Sequence, residues 1–324
     1  MIQYVRMPYM IYDLAIIGGG PAGVAAGVYA ARKQLSTIFI TKDWNCQSAV
    51  SEGIENWIGT VNITGQELAK KLEKHLKAYS GEFVEIHEGE ICESVSQNVG
   101  VPGDKSSGTF HIKTNRGDYE VGTVLISTGS HRRKLDVPGA NRLEHKGLTY
   151  CASCDGPMFS GQDVAVIGGG NAAFDSAAQL LAYCKSVTLL NRSEKFRADP
   201  GTIEKVSTNS HFKILRNAVP KEVLGDKFVN GLVYTNIISG KEVKIDVSGI
   251  FIEIGSTPIT DFAKNLVNLN KSGYIITDPA NQKTSTVGIW AAGDCTDGLY
   301  HQNNIAAGDA VKALEDIYLF LKAK

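Results

Sequence analysis

The chain has 324 residues, 43% hydrophobic and 21% charged, and its 33 basic and 34 acidic side chains give a formal net charge of −1. This length predicts two domains, each with its own core, and the near-neutral charge argues against a nucleic-acid-binding protein, which needs clustered basic charge. Six cysteines are too few for a disulfide scaffold, and no secretory leader pattern opens the chain, so we expect a cytoplasmic protein.

An uncharged stretch, residues 14–31, reads LAIIGGGPAGVAAGVYAA and approaches the length of a membrane span. It also contains five glycines and Pro21. Such residues would interrupt a helix in lipid, where water cannot replace the lost backbone hydrogen bonds. The stretch therefore predicts a short strand, a glycine-rich turn and a helix of small residues, and we expect no membrane contact.

The next regions carry a helix signal and a hairpin signal. Thr64 with Glu67 three residues later is a capping box, which predicts a helix start. The apolar face of that helix is predicted to hold Leu68, Leu72, Leu76 and Tyr79. Residues 83–125 alternate in short runs around Pro102-Gly103 and Arg116-Gly117, which is typical of β-hairpins.

The glycine-rich pattern returns at an offset of 150 residues. DLAIIGGGPAGVAAGVYAA, which starts at Asp13, aligns with DVAVIGGGNAAFDSAAQLLA, which starts at Asp163. A repeat that keeps its register through strand, turn, helix and second strand is a repeated βαβ unit. The sequence therefore predicts two nucleotide-binding modules, followed over residues 207–254 by short strands with a turn at Ser239-Gly240.

Each module carries a form of the G-x-G-x-x-G motif. The first glycine allows a tight turn, the second lets the backbone approach a diphosphate, and the third lets helix and strand pack closely. A diphosphate would then rest on the N–H groups at the helix N-terminus. The alternative is a pair of glycine-rich turns without a ligand. The three positions are Gly18, Gly20 and Gly23 in the first module and Gly168, Gly170 and Ala173 in the second.

The residues after the second strand of each module predict different ligands. Asp43 follows the predicted strand Ser36–Thr41, where an acid binds a ribose hydroxyl, and this fits FAD. Ser193 stands at the matching place in the second module, among the basic residues Arg192, Lys195 and Arg197. Missing acid and added guanidinium favour the 2′-phosphate of NADP. The alternative is a solvated basic turn.

A C-terminal segment is predicted to complete the first module. Residues 288–294 form a short apolar strand that ends in Gly293-Asp294, and residues 300–311 resemble a helix rich in small residues. The predicted fold is α/β with two Rossmann-like nucleotide-binding domains of the three-layer ββα type, the NAD(P)H domain being inserted into the FAD domain. The FAD domain is predicted to comprise residues 1–130 and 249–324, and the NAD(P)H domain residues 131–248.

Cys151 and Cys154 form the one close cysteine pair, directly before the second module. A structural zinc site usually needs two further ligands, and no second pair or H-x3–5-H pattern occurs, so no metal is expected. The C-x-x-C spacing favours a reversible disulfide, with zinc and inert thiols as alternatives. Asp155 could protonate a departing thiolate or could be a simple turn residue.

The chain as a whole resembles the low-molecular-weight thioredoxin reductases, the class II FAD/NAD(P)H pyridine nucleotide-disulfide oxidoreductases, and also the reductase core of the alkyl hydroperoxide reductase flavoprotein. The motifs that carry the resemblance are GGGPAG at 18–23, CASCDG at 151–156, GGGNAA at 168–173, NRSEKFRA at 191–198 and AAGD at 291–294. Only about a dozen residues precede the first predicted strand, so we expect that the extra N-terminal thioredoxin-like domains of that flavoprotein are absent.

The resemblance implies a set of site residues. FAD contacts are implied for Gly18, Gly20, Pro21, Ala22, Gly23, Asp43, Gln47, Asn56, Thr128, Gly129, Gly293, Asp294 and Gln302. NADPH contacts are implied for Gly168, Gly170, Asn171, Ala172, Ala173, Arg192 and Arg197. Cys154 would be the flavin-facing thiol, Cys151 the thiol that attacks the partner, and Asp155 the acid.

The implied function is thioredoxin-disulfide reduction by a homodimer, with electrons passing from NADPH through FAD and the Cys151–Cys154 disulfide to thioredoxin. NADH-dependent reduction of a glutaredoxin-like protein or a peroxiredoxin is an alternative, as are a dithiol oxidase, a ferredoxin-type reductase and a redox sensor. Three departures from the family pattern are Asn45-Cys46-Gln47, Ser193 in place of a second arginine, and His301-Gln302-Asn303. Ser193 keeps NADH open as an alternative to NADPH.

Overall fold

The computed structural model describes residues 11–51, 53–98 and 108–322. These residues form two compact units. The first unit holds the described residues up to His131 together with those from Thr257 onward, and the second unit is the stretch Arg132–Ser256. The second unit is therefore inserted into the sequence of the first.

The elements follow in chain order. The segment up to the first boundary contains β1 (Ile11–Ile17), α1 (Pro21–Arg32), β2 (Thr37–Thr41), α2 (Gly65–Lys77), β3 (Val84–Glu88), β4 (Cys92–Gln97), β5 (Phe110–Thr114), β6 (Asp118–Ile126) and β7 (Ser130–Arg132). The second unit contains α3 (Ala140–Leu143), β8 (Leu148–Thr149), α4 (Ala152–Asp155), β9 (Asp163–Ile167), α5 (Asn171–Leu180), β10 (Ser186–Leu190), α6 (Pro200–Ser207), β11 (Phe212–Leu215), β12 (Ala218–Gly225), β13 (Val229–Asn236), β14 (Glu242–Ile245) and β15 (Gly249–Ile252). The last segment contains β16 (Ser256–Pro258), β17 (Ile289–Ala291) and α7 (Asn303–Lys322).

The first unit is built on a seven-stranded sheet in the order β3-β2-β1-β6-β5-β4, with β17 also paired to β6. The strands β3, β2, β1, β6 and β17 run parallel, whereas β5 is antiparallel to both β6 and β4. Helices α1 and α7 pack on one face, around Phe39 and Trp290. On the other face, residues 263–275 pack against a second core, to which side chains of β4 and β5 also contribute. The unit therefore has the three layers that were predicted.

The uncharged stretch folds as predicted, into β1, a turn and α1. Gly20 is the N-cap of α1 and Pro21 follows it, a position where the missing N–H of proline costs nothing. Small residues allow close packing of this helix. A Cβ on Gly27, for example, would lie 2.7 Å from Leu76 Cδ1 on α2. None of the described helices combines the length and the apolar character needed to cross a membrane.

The second unit repeats the first with the predicted offset. Its parallel sheet has the order β11-β10-β9-β15-β8, and a separate antiparallel sheet has the order β12-β13-β14. In the first unit Leu14 of β1 is paired with Thr37 of β2. In the second unit Val164 of β9 is paired with Val187 of β10. Each residue differs from its counterpart by 150, so the repeat preserves strand register and the predicted α/β class is confirmed.

Several local predictions need correction. Val84–Glu88 is a parallel neighbour of β2 and does not belong to a hairpin, because α2 provides the crossover that a parallel strand requires. The capping box at Thr64 and Glu67 forms, but the helix is capped at Ala78, so Tyr79 lies beyond it and is 37% exposed. The turn predicted at Pro102-Gly103 lies outside the described residues.

Two predicted boundaries also shift. The stretch Gly249–Ile252, predicted to begin the last segment, is a strand between β9 and β8 in the second unit. The predicted helix at 300–311 begins at Asn303 and continues to Lys322, because Ala313, Leu314 and Ile317 extend its buried face.

Candidate active site

The first glycine loop joins β1 to α1. Gly18 has φ +123°, and its N–H donates to Ile40 O at 2.9 Å. A Cβ on Gly18 would be 2.3 Å from Ser127 O, and a Cβ on Gly23 would be 1.8 Å from Gly18 O. Only glycine fits either position. At Gly20, by contrast, the nearest atom to a Cβ would be Cys46 Cβ at 3.7 Å, so space opens in front of the helix N-terminus.

The loop after β2 brings Asp43 to the glycine loop. Thr41 Oγ1 donates to Asp43 O at 2.6 Å. Asn45 N–H donates to Asp43 Oδ1 at 2.8 Å. A Cβ on Gly19 would be 2.8 Å from Asp43 O. The carboxylate is therefore held at the place predicted for a ribose-binding acid, and its side chain is exposed.

The C-terminal segment reaches the same place. Ala292 N–H donates to Ile126 O at 2.9 Å, which continues the pairing of β17 with β6. Gly293 follows with φ +77°, and a Cβ there would be 3.3 Å from Ala22 Cβ in the first turn of α1. Asp294 therefore lies next to the start of α1. Ala22 and Gly293, which are 271 positions apart in the sequence, thus meet at one helix N-terminus.

The remaining residues predicted to bind FAD also belong to the first unit. Asn56 Nδ2 donates to Gln302 Oε1 at 3.3 Å. Thr128 N is 3.0 Å from the position of a Cβ on Gly18, so Thr128 and Gly129 adjoin the glycine loop. Gln47 Oε1 is buried and has no hydrogen-bond partner among the described residues, and the same holds for His301 Nε2. Buried polar atoms normally have partners, so a polar ligand fits here.

The second glycine loop repeats the first. Gly168 N–H donates to Leu190 O at 3.0 Å, which matches the bond between Gly18 and Ile40. A Cβ on Gly168 would be 2.3 Å from Glu253 O. Gly170 has no described atom within 4 Å of the place of a Cβ. Helix α5 begins at Asn171 without a side-chain cap, so its first N–H groups face open space and can meet an anion.

The basic loop after β10 is tied to this glycine loop. Arg197 N–H donates to Gly169 O at 2.7 Å. Asp199 N–H donates to Asn171 Oδ1 at 2.8 Å. Inside the loop, the buried Asn191 donates from Nδ2 to the carbonyl oxygens of Ser193 at 2.7 Å and Lys195 at 3.1 Å. The backbone that carries the cations is therefore fixed beside the N-terminus of α5.

The cations of this loop are exposed, and no ion pair to them occurs in the described region of the chain. They are Arg192, Lys195 and Arg197. The acid between them, Glu194, is already engaged, because its Oε2 accepts from Asn217 Nδ2 at 2.6 Å and Arg216 lies 3.7 Å from its Oε1. The loop thus offers free positive charge and no free carboxylate.

Cys151 and Cys154 form a disulfide with a Cα–Cα distance of 5.3 Å. Cys151 is the N-cap of α4, and its Sγ accepts from Cys154 N–H at 3.2 Å. Both residues are half-buried. Ser153 Oγ donates to Gln179 Oε1 at 2.7 Å near the end of α5. The dithiol and the glycine loop therefore lie toward opposite ends of α5, roughly 12 Å apart along its axis at 1.5 Å per residue.

Asp155 adjoins the disulfide through its own helix turn. Its N–H donates to Cys151 O at 3.0 Å, and Thr149 Oγ1 donates to its Oδ2. Burial raises the pKa of Asp155, while the Thr149 hydrogen bond and the charges of His145 and Arg132 lower it. A carboxyl group with a raised pKa beside a disulfide can hold a proton for a departing thiolate.

The other cysteines are free thiols. Cys295 Sγ lies 3.4 Å from Ala292 O, and burial raises its pKa to about 11. Burial also raises the pKa of Cys92 to about 12 and that of Cys184 to about 11. Cys46 is half-buried next to Gly20, and its pKa is raised for the same reason. The described residues contain no group of three or more His, Cys, Asp or Glu side chains suited to a metal ion.

A family model for the pyridine nucleotide-disulphide oxidoreductases matches residues 12–310. The chain belongs to this family. Members of the family use FAD and NAD(P)H. The open glycine loops, the exposed Asp43 and the buried partnerless oxygen of Gln47 fit a flavin nucleotide in the first unit. The second loop and its unpaired cations fit a nicotinamide nucleotide.

Solved structures of thioredoxin reductases share this fold over almost the whole chain. The enzyme from Streptococcus pyogenes is 33% identical, with a TM-score of 0.86, and the match covers 98% of this chain and 100% of that one. The enzyme from Giardia duodenalis is 30% identical, with a TM-score of 0.88, and the match covers 96% and 98%.

Curated relatives carry other names. The F subunit of alkyl hydroperoxide reductase in Escherichia coli is 36% identical over 304 residues. A protein of Bacillus subtilis named NADH dehydrogenase is 34% identical over 303 residues. Each match covers 93% of this chain and 57% of the relative. The chain therefore spans a little over half the length of these relatives.

Three neighbours of the site escaped the sequence analysis. Ser127 and Glu253 are the residues whose carbonyl oxygens touch the first glycine of each loop. Both directly follow an apolar strand and precede an X-Gly pair, Thr128-Gly129 and Ile254-Gly255, and this shared pattern could have identified them. His301 was noted only as a departure from the family pattern. Its buried, partnerless Nε2 depends on folding and leaves no mark in the sequence.

Proposed function

We propose that the protein is a flavin-dependent disulfide reductase that passes electrons from NADPH through FAD and the Cys151–Cys154 disulfide to a small redox protein, thioredoxin being the first candidate. The first unit would bind FAD and the second NADPH. The observation that carries the proposal is a disulfide on α4, a helix that is hydrogen-bonded through Ser153 to Gln179 of α5, whose start forms the second glycine loop. The resemblance to thioredoxin reductases adds the expectation of a homodimer, which light scattering would test.

FAD and NADPH, when bound, would supply the electron pair that opens the Cys151–Cys154 disulfide. In the reduced protein, Cys151 Sγ attacks the partner's disulfide, which forms a mixed disulfide and releases one partner thiolate. Cys154 Sγ then attacks Cys151 Sγ, which restores the internal disulfide and releases the second thiolate. Asp155, whose N–H donates to Cys151 O, would give a proton to a leaving sulfur. Two electrons and two protons pass to the partner in each cycle.

The choice of NADPH rests on the basic loop. Arg192, Lys195 and Arg197 are exposed and unpaired within the described residues, which favours a 2′-phosphate. Glu194 is held by Arg216 and Asn217 and does not offer a carboxylate to a ribose hydroxyl.

A Cys154→Ser variant tests the relay. With NADPH under nitrogen, we expect its flavin absorbance to bleach as in the wild type, because the nucleotide sites are intact. We expect no turnover with oxidised thioredoxin, because the dithiol cannot form. Cys184→Ala, which removes a free thiol of the same unit, is the matched control and should retain activity. Reduction of thioredoxin by Cys154→Ser at the wild-type rate would disprove the relay.

A second candidate function is reduction of a peroxiredoxin, favoured by the 36% identity to the F subunit of alkyl hydroperoxide reductase. Steady-state kinetics with NADPH and with NADH against thioredoxin, a glutaredoxin-like protein and a peroxiredoxin would separate the candidates. A kcat/KM at least tenfold higher for one acceptor identifies it. Oxygen consumption without any acceptor would instead indicate an oxidase.

A further inference from the structure

The backbone of Glu253 touches the second glycine loop. Its N–H donates to Ile167 O at 2.8 Å, where β9 ends. Its carbonyl oxygen is 2.3 Å from the place that a Cβ on Gly168 would take. These two contacts fix Glu253 at the sheet edge where the loop begins, on the side of β9 that faces β15.

The side chain of Glu253 turns toward the helix that the loop opens. Ser176 Oγ on α5 donates to Glu253 Oε1 at 2.6 Å. Burial raises the pKa of Glu253 to about 7, against the smaller lowering effects of the Ser176 hydrogen bond and of the charge of Arg132. Asp175, the other charged residue that faces it, raises the pKa slightly. The carboxyl group therefore changes its protonation near neutral pH.

The first unit shows that packing does not require a carboxyl group at this place. There Ser127 N–H donates to Ile17 O at 2.9 Å. Its carbonyl oxygen is likewise 2.3 Å from the place of a Cβ on Gly18. The side chain here is the hydroxyl of Ser127, which donates to Ile17 O at 2.9 Å. The first loop therefore forms without a carboxyl group at this position. The ionisable side chain of Glu253 is thus an addition particular to the second unit.

An anionic ligand distinguishes the two protonation states of this side chain. A glycine loop holds a diphosphate by backbone N–H groups and by the positive end of the helix. A carboxylate beside the same loop repels the diphosphate. A neutral carboxyl group does not repel it and offers an O–H donor. Nucleotide binding should therefore favour the protonated form.

We propose that Glu253 is a nucleotide-positioning residue whose carboxylate takes up a proton from solvent when NAD(P)H binds to the second unit. The inference rests on the proposed assignment of that unit to the nicotinamide nucleotide. In acidic solution the carboxyl group is already neutral, so binding takes up no proton. As the pH rises above the pKa of the free protein, uptake approaches one proton and affinity falls by up to about tenfold per pH unit.

Isothermal titration calorimetry of the oxidised holoenzyme tests this. NADP⁺ and NAD⁺ are titrated at pH 8 in HEPES and in Tris, which have different heats of ionisation and do not compete for a phosphate site, so the difference in binding heat counts the protons taken up. Oxidised nucleotides avoid flavin reduction, and the readout is binding alone. We expect uptake of about 0.5 to 1 proton in the wild type and almost none in Glu253→Gln, with affinity at pH 8 about threefold to tenfold tighter in the variant. Both nucleotides should show the effect, because both carry the diphosphate. NAD⁺ lacks the 2′-phosphate, so proton uptake with NAD⁺ cannot come from that group.

Glu242→Gln is the matched control, since it removes an exposed carboxylate of the same unit that is paired with Lys221. It should keep the wild-type uptake. Glu253→Ser, which copies Ser127, gives a second variant if Glu253→Gln folds poorly. Absence of uptake in the wild type, or equal uptake after substitution of Glu253, would overturn the inference alone. Failure of the wild type to bind either nucleotide would overturn the assignment of the second unit, and the inference with it.

Discussion

The two glycine loops share one backbone path, yet the third motif position differs. In the first unit Gly23 lies so close to the loop that a Cβ would be 1.8 Å from Gly18 O. In the second unit Ala173 carries a real Cβ at that position, 2.9 Å from the place of a Cβ on Gly168. Helix α1 thus approaches its loop more closely than α5 does. The third glycine is a packing requirement of the first unit only.

The loops are also held by different side chains. In the first unit the hydroxyl of Thr41 bonds one carbonyl, that of Asp43. In the second unit the amide of Asn191 bonds two carbonyls, and it therefore holds a longer basic segment. Gly19 and Gly169 leave room for these side chains, since a Cβ would be 2.3 Å from Thr41 Oγ1 and 2.2 Å from Asn191 Oδ1. The side chain at this position, Thr41 or Asn191, therefore holds a loop that contains an acid in the first unit and cations in the second.

The largest effect should come from exchanging the third motif residue. We expect Gly23→Ala to reduce FAD occupancy by about tenfold or more, because the new Cβ forces α1 away from its loop and overpacking costs about 1–3 kcal/mol. The ratio of flavin to protein absorbance after purification measures this. Ala173→Gly is the counterpart in the second unit and should change the Kd for NADP⁺ by less than about threefold. Full FAD occupancy in Gly23→Ala would show that the loops are sterically equivalent.

Arg192→Ala tests the difference in charge between the loop that follows β2 in the first unit and the basic loop that follows β10 in the second. We expect the KM for NADPH to rise about tenfold to a hundredfold, since a charge-assisted hydrogen bond contributes about 1.5–3 kcal/mol. The KM for NADH should change by less than about twofold, because NADH has no 2′-phosphate. Lys213→Ala removes an exposed cation of β11 and serves as control. Equal losses with both nucleotides would place Arg192 outside the phosphate site.

The motif's second glycine should behave alike in both units. A Cβ on Gly170 would meet no described atom within 4 Å, and a Cβ on Gly20 would be in ordinary contact with Cys46 Cβ at 3.7 Å, so alanine there should leave folding intact and obstruct only the ligand. We expect Gly20→Ala to weaken FAD binding and Gly170→Ala to weaken NADP⁺ binding, each by about fivefold to tenfold. Calorimetric Kd values and thermal melting of the same samples measure both properties. A lower melting temperature without loss of affinity would mean that these glycines serve packing.

The sequence predicted what is local in the chain. The glycine loops, their strands and the Cys151–Cys154 pair depend on short spacings, and a βαβ unit is specified within about thirty residues. The offset of 150 allowed each copy to support the interpretation of the other. The approach of Gly293-Asp294 to α1 was predicted as well, because an apolar strand that ends in Gly-Asp is itself a local signal.

Contacts between distant strands could not be predicted in this way. Ser127 and Glu253 each contact a glycine loop because their strands pair with β1 and β9, whose residues are more than 80 positions away in the chain. β3 looked like a hairpin strand because short alternating runs do not reveal whether the neighbouring strand is parallel. The end of the second unit at Ser256 likewise depends on the place of β15 in the sheet. Pairing order, rather than local pattern, decided all of these.

The smallest predicted effect concerns stability at the strand-end position, where the first unit has Ser127 and the second has Glu253. Since burial raises the pKa of Glu253 from 4.5 to about 7 in the folded chain, the unfolded chain releases this proton first. The penalty for folding therefore grows as the pH rises from about 4.5 to 7 and is constant above that range. Glu253→Gln removes the ionisable group, so its melting temperature at pH 8 should exceed that of the wild type by at least a few °C. Near pH 4.5 the two proteins should melt together. Circular dichroism melts at both pH values measure the difference, and a gap of equal size at both would mean that packing, not charge, distinguishes Glu253 from Ser127.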